Sequence, residues 1–290
     1  MKRRNFIKQV GIFAAGTTIL STGNIQKLTA TPMAGNRQIK RFGVITKRIG
    51  GQWLLDNPKE GLRYISQLGY REIEGIGDWG MEFNELKVFL KELNLTPVAA
   101  GASTTALRDD DPTRLMKDID FCKKWGMKYI ICYGPDKKMS TIEDWCALAH
   151  DLNKGGTVCK KQGLSLLYHN HAGEFTRING IMPFDELMKI FDPKLVNIEL
   201  DLFWVAKAYV DPCDVLAKYP GRFPILHVKD MDKTDKRTFE DVGEGILDFP
   251  AIFALSKKAG VKHYIVENDE PKDSKVSLER GATYLKQVRY

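Results

Sequence analysis

From residue 40 onward, short apolar or β-branched runs alternate with longer stretches whose apolar positions recur at helical spacing. The short runs are Lys40–Thr46, Glu72–Ile76, Pro97–Ala102, Tyr129–Tyr133, Leu164–His171, Val196–Phe203, Pro224–Lys229 and Tyr264–Glu267. Each is brief and mostly apolar, as a strand covered on both faces must be. Between them lie helical patterns over Asn84–Leu93, Pro112–Trp125, Ile142–Gln162, Phe184–Phe191, Pro212–Lys218, Phe249–Ala259 and Ser277–Val288. Capping signals support several of these, among them Asp111-Pro112 and Ser140 or Thr141 with Glu143 following.

Eight strand-helix units over about 250 residues match the size at which a parallel sheet closes into a (β/α)8 barrel, the TIM-barrel architecture of the α/β class. A doubly wound sheet usually stops at six strands and carries a GxGxxG after its first strand, and no such motif follows Lys40–Thr46. No repeat, low-complexity tract or Pro/Ser linker interrupts residues 35–290, so one domain is expected there.

Residues 1–34 read differently. Lys2, Arg3, Arg4 and Lys8 precede an uncharged stretch from Gln9 to about Leu20, and small residues follow around Ala30 to Ala34. That is the layout of an export signal, and Arg3-Arg4 with Phe6 and Lys8 resembles the twin-arginine type, which predicts a periplasmic or otherwise exported protein. The apolar run of roughly a dozen residues falls short of the ~20 that span a bilayer, so no stable membrane insertion is expected once the signal is gone.

The charge of +7 is largely a property of that segment. Its five basic residues (Lys2, Arg3, Arg4, Lys8, Lys27) meet no acid before Ala34, and the remainder carries +2. A nearly balanced surface attracts phosphate backbones weakly, so nucleic acid is not an expected partner. The five cysteines lack paired spacing and read as mostly buried thiols.

In a barrel of this kind the active site is built at the C-terminal strand ends, and the last four strands all finish on polar residues. The fifth ends Tyr168-His169-Asn170-His171, where period-two alternation puts both imidazoles on one face. The sixth carries Glu199 and Asp201 on one face amid apolar neighbours; the seventh ends His227-Val228-Lys229, and the eighth ends on Glu267. Burying unpaired charge at successive strand ends would cost several kcal/mol without a shared cation. One oxygen or nitrogen donor from each of these four strand ends can converge on a single divalent ion, Mn²⁺ by preference, with Zn²⁺, Co²⁺ or Mg²⁺ as alternatives. Lys229, Glu74 on the second strand and Trp204 after the sixth are candidate substrate contacts.

These endings, with Tyr70 to Glu74 and Asp241-Val242-Gly243-Glu244-Gly245, resemble the xylose isomerase-like sugar phosphate isomerase/epimerase superfamily. Tyr168 to Phe175, Leu226 to Asp230 and Asp241 to Gly245 look like a subgroup near inosose dehydratases and 3-keto-glycoside epimerases or lyases. The resemblance implies an ion held by His169, Asp201, His227 and Glu267 at the ends of strands five to eight, a carbohydrate substrate, a homo-oligomer as one possible assembly, and Glu244 near the substrate. It also exposes a departure: where relatives carry Glu in a Glu-Asn-His context, this chain has His169-Asn170-His171. Glu174, five residues further on, is a candidate replacement, and Glu267, His171 and Glu174 are the candidate proton carriers.

The reaction this implies removes a proton beside a carbonyl to form an enediolate. Reprotonation gives isomerisation or epimerisation; expulsion of a β-substituent gives dehydration or glycoside cleavage. A sugar-binding barrel that lost its base is a further alternative. A DNA-repair nuclease of the same superfamily uses three zinc ions and many histidines, whereas only five histidines exist here.

Overall fold

The computed structural model describes residues 35–109 and 111–290; the expected export signal lies outside the described residues. Eight parallel strands close into a barrel: β1 (Gly43–Ile45), β2 (Glu72–Glu74), β3 (Thr96–Ala102), β4 (Tyr129–Cys132), β5 (Ser165–His169), β6 (Val196–Asp201), β7 (Ile225–Val228) and β8 (His263–Val266). Each pairs with its sequence neighbours, and β8 closes on β1. Eight of the helices pack outside, one between each strand and the next or after the last: α1 (Pro58–Gln67), α2 (Phe83–Glu92), α3 (Thr113–Trp125), α4 (Ile142–Lys161), α5 (Pro183–Ile190), α6 (Pro212–Lys218), α7 (Phe249–Ala254) and α8 (Ser274–Gln287). The (β/α)8 expectation therefore holds, with most boundaries within two or three residues. Among the described residues, no helix is long and apolar enough to cross a membrane.

Two apolar layers position the site. The barrel interior is filled by Ile45, Val98, Ala99, Tyr129, Ile131, Leu167, Ile225 and Ile265. The larger layer, between strands and helices, includes Leu166, Tyr168, Phe184, Phe191 and Leu226. On β5 the alternation is therefore explicit: Leu167 and then His169 point inward, while Leu166 and Tyr168 face the helices.

Three local features were not anticipated. The sixth apolar run stops as a strand at Asp201, because its carboxylate accepts the Trp204 backbone N–H at 3.0 Å and starts a short helix, Leu202–Lys207. Asn170 clips β5 to β6, donating to the Asp201 carbonyl at 3.3 Å and accepting the Asp201 N–H at 3.0 Å. After β7 comes a two-stranded antiparallel ribbon, Asp230–Met231 with Phe239–Glu240. The buried Asp230 carboxylate there accepts backbone N–H groups from Met231, Gly243, Gly245 and Leu247 at 2.8–3.2 Å. The Asp241–Gly245 segment thus wraps a carboxylate, and a side chain at Gly245 would collide with it.

Cys122, Cys132 and Cys159 are buried thiols, and Cys146 and Cys213 are half-buried.

Candidate metal centre and substrate cavity

The inward positions at the C-terminal strand ends form one connected polar cluster above the apolar interior. His169 (β5), Glu199 and Asp201 (β6), His227 (end of β7), Lys229 and Glu267 just past β7 and β8, and Glu74 (β2) are all 4 % exposed or less. Over them opens a cavity of about 610 Å³, lined by Lys47, Arg48, Tyr133, His169, His171, Trp204, Lys229, Glu267 and Asp269 among others.

His227 is the hub. Its Nδ1 lies 2.8 Å from Glu267 Oε2, and its Nε2 lies 3.1 Å from Glu74 Oε1 and 3.2 Å from Glu199 Oε1. Burial opposes charge on the ring, but Glu199, Glu74 and Glu267 outweigh it and hold the imidazolium well above the usual histidine range. His169 behaves oppositely: burial, then the charge on His227, push it well down. Its Nδ1 is 2.9 Å from Glu199 Oε2 and its Nε2 3.8 Å from Asp201 Oδ2. Burial and Lys229 lower His171 to about 4, so its ring, edge-on to His169 and 5.4 Å from the Trp204 ring, is neutral at neutral pH.

Lys229 occupies the mouth side. Its Nζ lies 2.6 Å from Asp269, 3.2 Å from Glu267 and 3.3 Å from Asp201. Burial opposes its charge, yet these carboxylates keep it protonated well above the ordinary lysine value. Burial raises Asp201 to about 6 against the pull of Lys229. Burial also works against the charge of Glu267, but His227 and Lys229 overcome it and keep that carboxylate ionised far below its usual range.

The donor set fits a divalent cation. Asp201, His227 and Glu267 each offer an atom within 4.8 Å of the others, and so do His169, Glu199 and His227. Five carboxyl groups (Glu74, Glu199, Asp201, Glu267, Asp269) crowd round one ammonium and one imidazolium, and burial and then the charge on Glu74 hold Glu199 well above the usual carboxylate range. Glu74 Oε2 and Glu199 Oε1 are buried without a hydrogen-bond partner among the described residues. Carboxylates and imidazoles together suit Mn²⁺, Zn²⁺ or Co²⁺.

A matching family model, the xylose isomerase-like TIM barrel, covers residues 62–288. The chain belongs to this family. Among curated members it is similar to the inosose dehydratase of Geobacillus kaustophilus, 26% identical over 67% of this chain and 73% of that one. The inosose dehydratase of Clostridium perfringens is 30% identical over 64% of this chain and 74% of its own. Among solved structures, a sugar phosphate isomerase/epimerase from Parabacteroides distasonis superposes with a TM-score of 0.72 at 24% identity, covering 89% of this chain and 96% of that one. The IolI protein, solved with a zinc atom, superposes at 0.62 with 15% identity over 79% and 92%. Within this carbohydrate-enzyme family, isomerases, epimerases and dehydratases share the barrel.

The sequence-named residues fall into two groups. His169, His171, Trp204, Lys229 and Glu267 line the cavity, and Asp201 and His227 lie beneath it. Glu74 is fully buried under the cavity, against His227 and the Tyr133 hydroxyl, which donates to it at 2.8 Å. Glu174 and Glu244 are not brought to the cluster. The Glu174 carboxylate turns to the helix side of β5, where it accepts the Tyr168 hydroxyl at 2.6 Å and the His171 backbone N–H at 3.1 Å. Glu244 is exposed on the Asp230 loop.

Sequence reasoning passed over Tyr133, Asp269 and the weight of Glu199. Glu199 carried a signal, since it shares a face with Asp201. Tyr133 is admitted by Gly101, where a side chain would strike its ring.

Proposed function

We propose that the protein is a metal-dependent isomerase or epimerase of keto-sugars that takes a proton from the carbon beside a carbonyl and returns it. The observation that carries this reading is one cavity in which a neutral imidazole, His171, and an ionised carboxylate, Glu267, flank the Lys229 ammonium, above buried carboxyl groups that outnumber the cations among them. A divalent ion, when bound, would polarise adjacent substrate oxygens and stabilise charge developing there. Its ligands would be His227, Asp201 and Glu267, whose donor atoms lie within 4.8 Å of one another, with the His169 named from sequence beside them. The zinc atom of the IolI protein supports an ion in this barrel, and Mn²⁺, Zn²⁺ and Co²⁺ all suit the donors.

The residues of the chain divide the work. His171, held neutral, accepts a proton, and Glu267 carries the second transfer. Lys229 donates to a substrate oxygen, its charge maintained by Asp201, Glu267 and Asp269. The Trp204 ring offers an apolar wall to a sugar face.

Elimination is the second reading. The resemblance to inosose dehydratases favours it, and the Lys229 ammonium could assist a departing β-hydroxyl. Incubating metal-loaded protein with keto-hexoses and inososes in D₂O separates the cases by NMR. Deuterium at the α-carbon of a product of unchanged composition supports isomerisation or epimerisation. An unsaturated product lacking a hydroxyl group supports elimination. Binding with no exchange at any concentration refutes both and leaves a sugar-binding barrel.

A further inference from the structure

The short helix Leu202–Lys207, which carries Trp204 into the cavity wall, ends through a left-handed residue. The Tyr209 N–H donates to the Ala206 carbonyl at 2.8 Å, the Val210 N–H donates to the Val205 carbonyl at 3.3 Å, and Tyr209 has φ +60°. Glycine normally fills that position, because a side chain there crowds its own backbone. Here an aromatic fills it, and burial does not offset the strain, since Tyr209 is 80 % exposed.

The ring is nevertheless fixed. The Arg237 guanidinium lies 4.6 Å from its centroid, and Arg237 is itself left-handed, with φ +51°. Arg237 Nη2 donates to the Ala206 carbonyl at 2.6 Å, and Lys207 Nζ donates to the Lys236 and Arg237 carbonyls at 2.7 and 2.6 Å. The tip of the ribbon after β7 is thereby tied to the end of the helix, and a cation backs the Tyr209 ring while the residue stays open to solvent. Strained residues held in place by their surroundings cluster at ligand contacts.

Beside Tyr209 opens a second cavity, of about 540 Å³, with walls from Phe175, Thr176, Arg177, Met182 and Lys207. That is the size of a small-molecule site. It adjoins the first cavity at two places. Ala172 lines it, and the preceding residue, His171, lines the first; Ala208 lines it, one helical turn from Trp204, whose carbonyl accepts the Ala208 N–H at 3.3 Å. The His171 and Trp204 rings, 5.4 Å apart, bound the first cavity on that side. Among the described residues no carboxylate or imidazole lines the second cavity, so its part is binding. An aromatic face beside hydrogen-bonding groups suits a sugar ring, which is apolar on its C–H face and polar at its edge. The Thr176 hydroxyl donates to the Ala172 carbonyl and keeps its lone pairs, and Arg177 commits one nitrogen to the Gly180 carbonyl and keeps the others.

We infer that Tyr209 determines specificity: its cavity holds a second sugar ring, joined to the ring that reacts beside Lys229, and the substrate is larger than a free monosaccharide. The inference rests on the carbohydrate reading and adds to it a subsite outside the metal centre. The ribbon, through Arg237, positions the aromatic platform.

Calorimetric titration of full-length, Mn²⁺-loaded protein with fructose, and with lactulose, turanose and isomaltulose, tests the subsite. These three disaccharides join a second ring to fructose at different positions. At least one should bind about tenfold more tightly than fructose, the gain of one stacked ring. Tyr209→Gly should bring that ratio to within about twofold of unity, and Tyr209→Phe, which keeps the ring, should retain it. Glycine suits the left-handed position, so Tyr209→Gly should melt at or above the wild type, which separates loss of the ratio from unfolding. Saturation-transfer NMR should show both rings of the bound disaccharide against the wild type and only the fructose unit against Tyr209→Gly. Disaccharides that bind no better than fructose, or a ratio that survives in Tyr209→Gly, overturn the subsite and leave the carbohydrate reading intact. A smaller assembly by light scattering in Tyr209→Gly, with the ratio unchanged, assigns the ring to a contact between copies and overturns it as well. Protein that binds none of the four sugars overturns both.

Discussion

Replacing Lys229 by methionine keeps the aliphatic stem and removes the ammonium. The side chain is 1 % exposed, so no solvent takes over its role, and Asp201, Glu267 and Asp269 lose a cation at 3.3, 3.2 and 2.6 Å. Breaking a buried ion pair by deleting one partner costs about 3–5 kcal/mol. In a domain of this size each kcal/mol moves Tm by about 2–4 °C, so a fall of roughly 6–20 °C is expected near pH 7.5. The sign of the pH dependence follows from proton linkage. Asp201 is already raised to about 6 in the wild type, and without Lys229 it rises further. A carboxyl whose folded pKa exceeds its unfolded value destabilises the protein above that pKa and ceases to do so as the pH falls below it. The gap between variant and wild type should therefore narrow at pH 5, measured by differential scanning calorimetry in metal-free buffer. A variant within 2 °C of wild type at pH 7.5, or one whose deficit widens at pH 5, refutes the claim that Lys229 neutralises Asp201, Glu267 and Asp269.

Two further substitutions test residues on which sequence and structure diverge. Burial raises Glu174 to about 7, so between roughly pH 4.5 and 7 the folded state keeps a proton that the unfolded chain has released. Wild-type stability should fall across that window and then level, a decline that Glu174→Gln lacks in urea-melt comparisons; with about 1.4 kcal/mol per pKa unit the difference approaches roughly 3 kcal/mol. Because Glu174 faces Tyr168, this variant should keep α-proton exchange within about threefold of wild type, and a hundredfold loss would return it to the catalytic group. Asp230→Asn turns a donor toward backbone N–H groups the carboxylate now accepts, and should cost about 3–6 kcal/mol by thermal melting, two charged hydrogen bonds being lost. Wild-type melting of Asp230→Asn would remove the structural account of the Asp241–Gly245 segment.

The barrel was legible because its signal is local. Short apolar runs, caps such as Thr141, whose hydroxyl accepts the Asp144 N–H, and period-two alternation on β5 are each written within a few residues. The same alternation sends His169, Asp201, His227 and Lys229 inward, so the strand-end residues could be named in advance. It could not give register. Which inward side chains of neighbouring strands meet depends on the stagger between strands, visible only in the pairing of His169 with Glu199 and of Asp201 with His227. Loops defeat periodicity altogether: Glu174 follows His169 by five residues, yet a single turn of 3₁₀-helix, Gly173–Phe175, carries its carboxylate to the opposite side of β5.

The pairing across β5 and β6 bears on how a barrel with an imidazole at the end of strand five keeps carboxyl oxygen within reach. Substituting His169 for a carboxylate in isolation would place an imidazole where negative charge had balanced an ion. Here the ring instead bonds Glu199, a group one strand away whose remaining oxygen faces His227. A carboxyl group therefore stays within the cluster, on the strand beside His169. A strand end scanned one position at a time registers only the imidazole; the barrel wall, read across the register, shows the Glu199 carboxyl next to it.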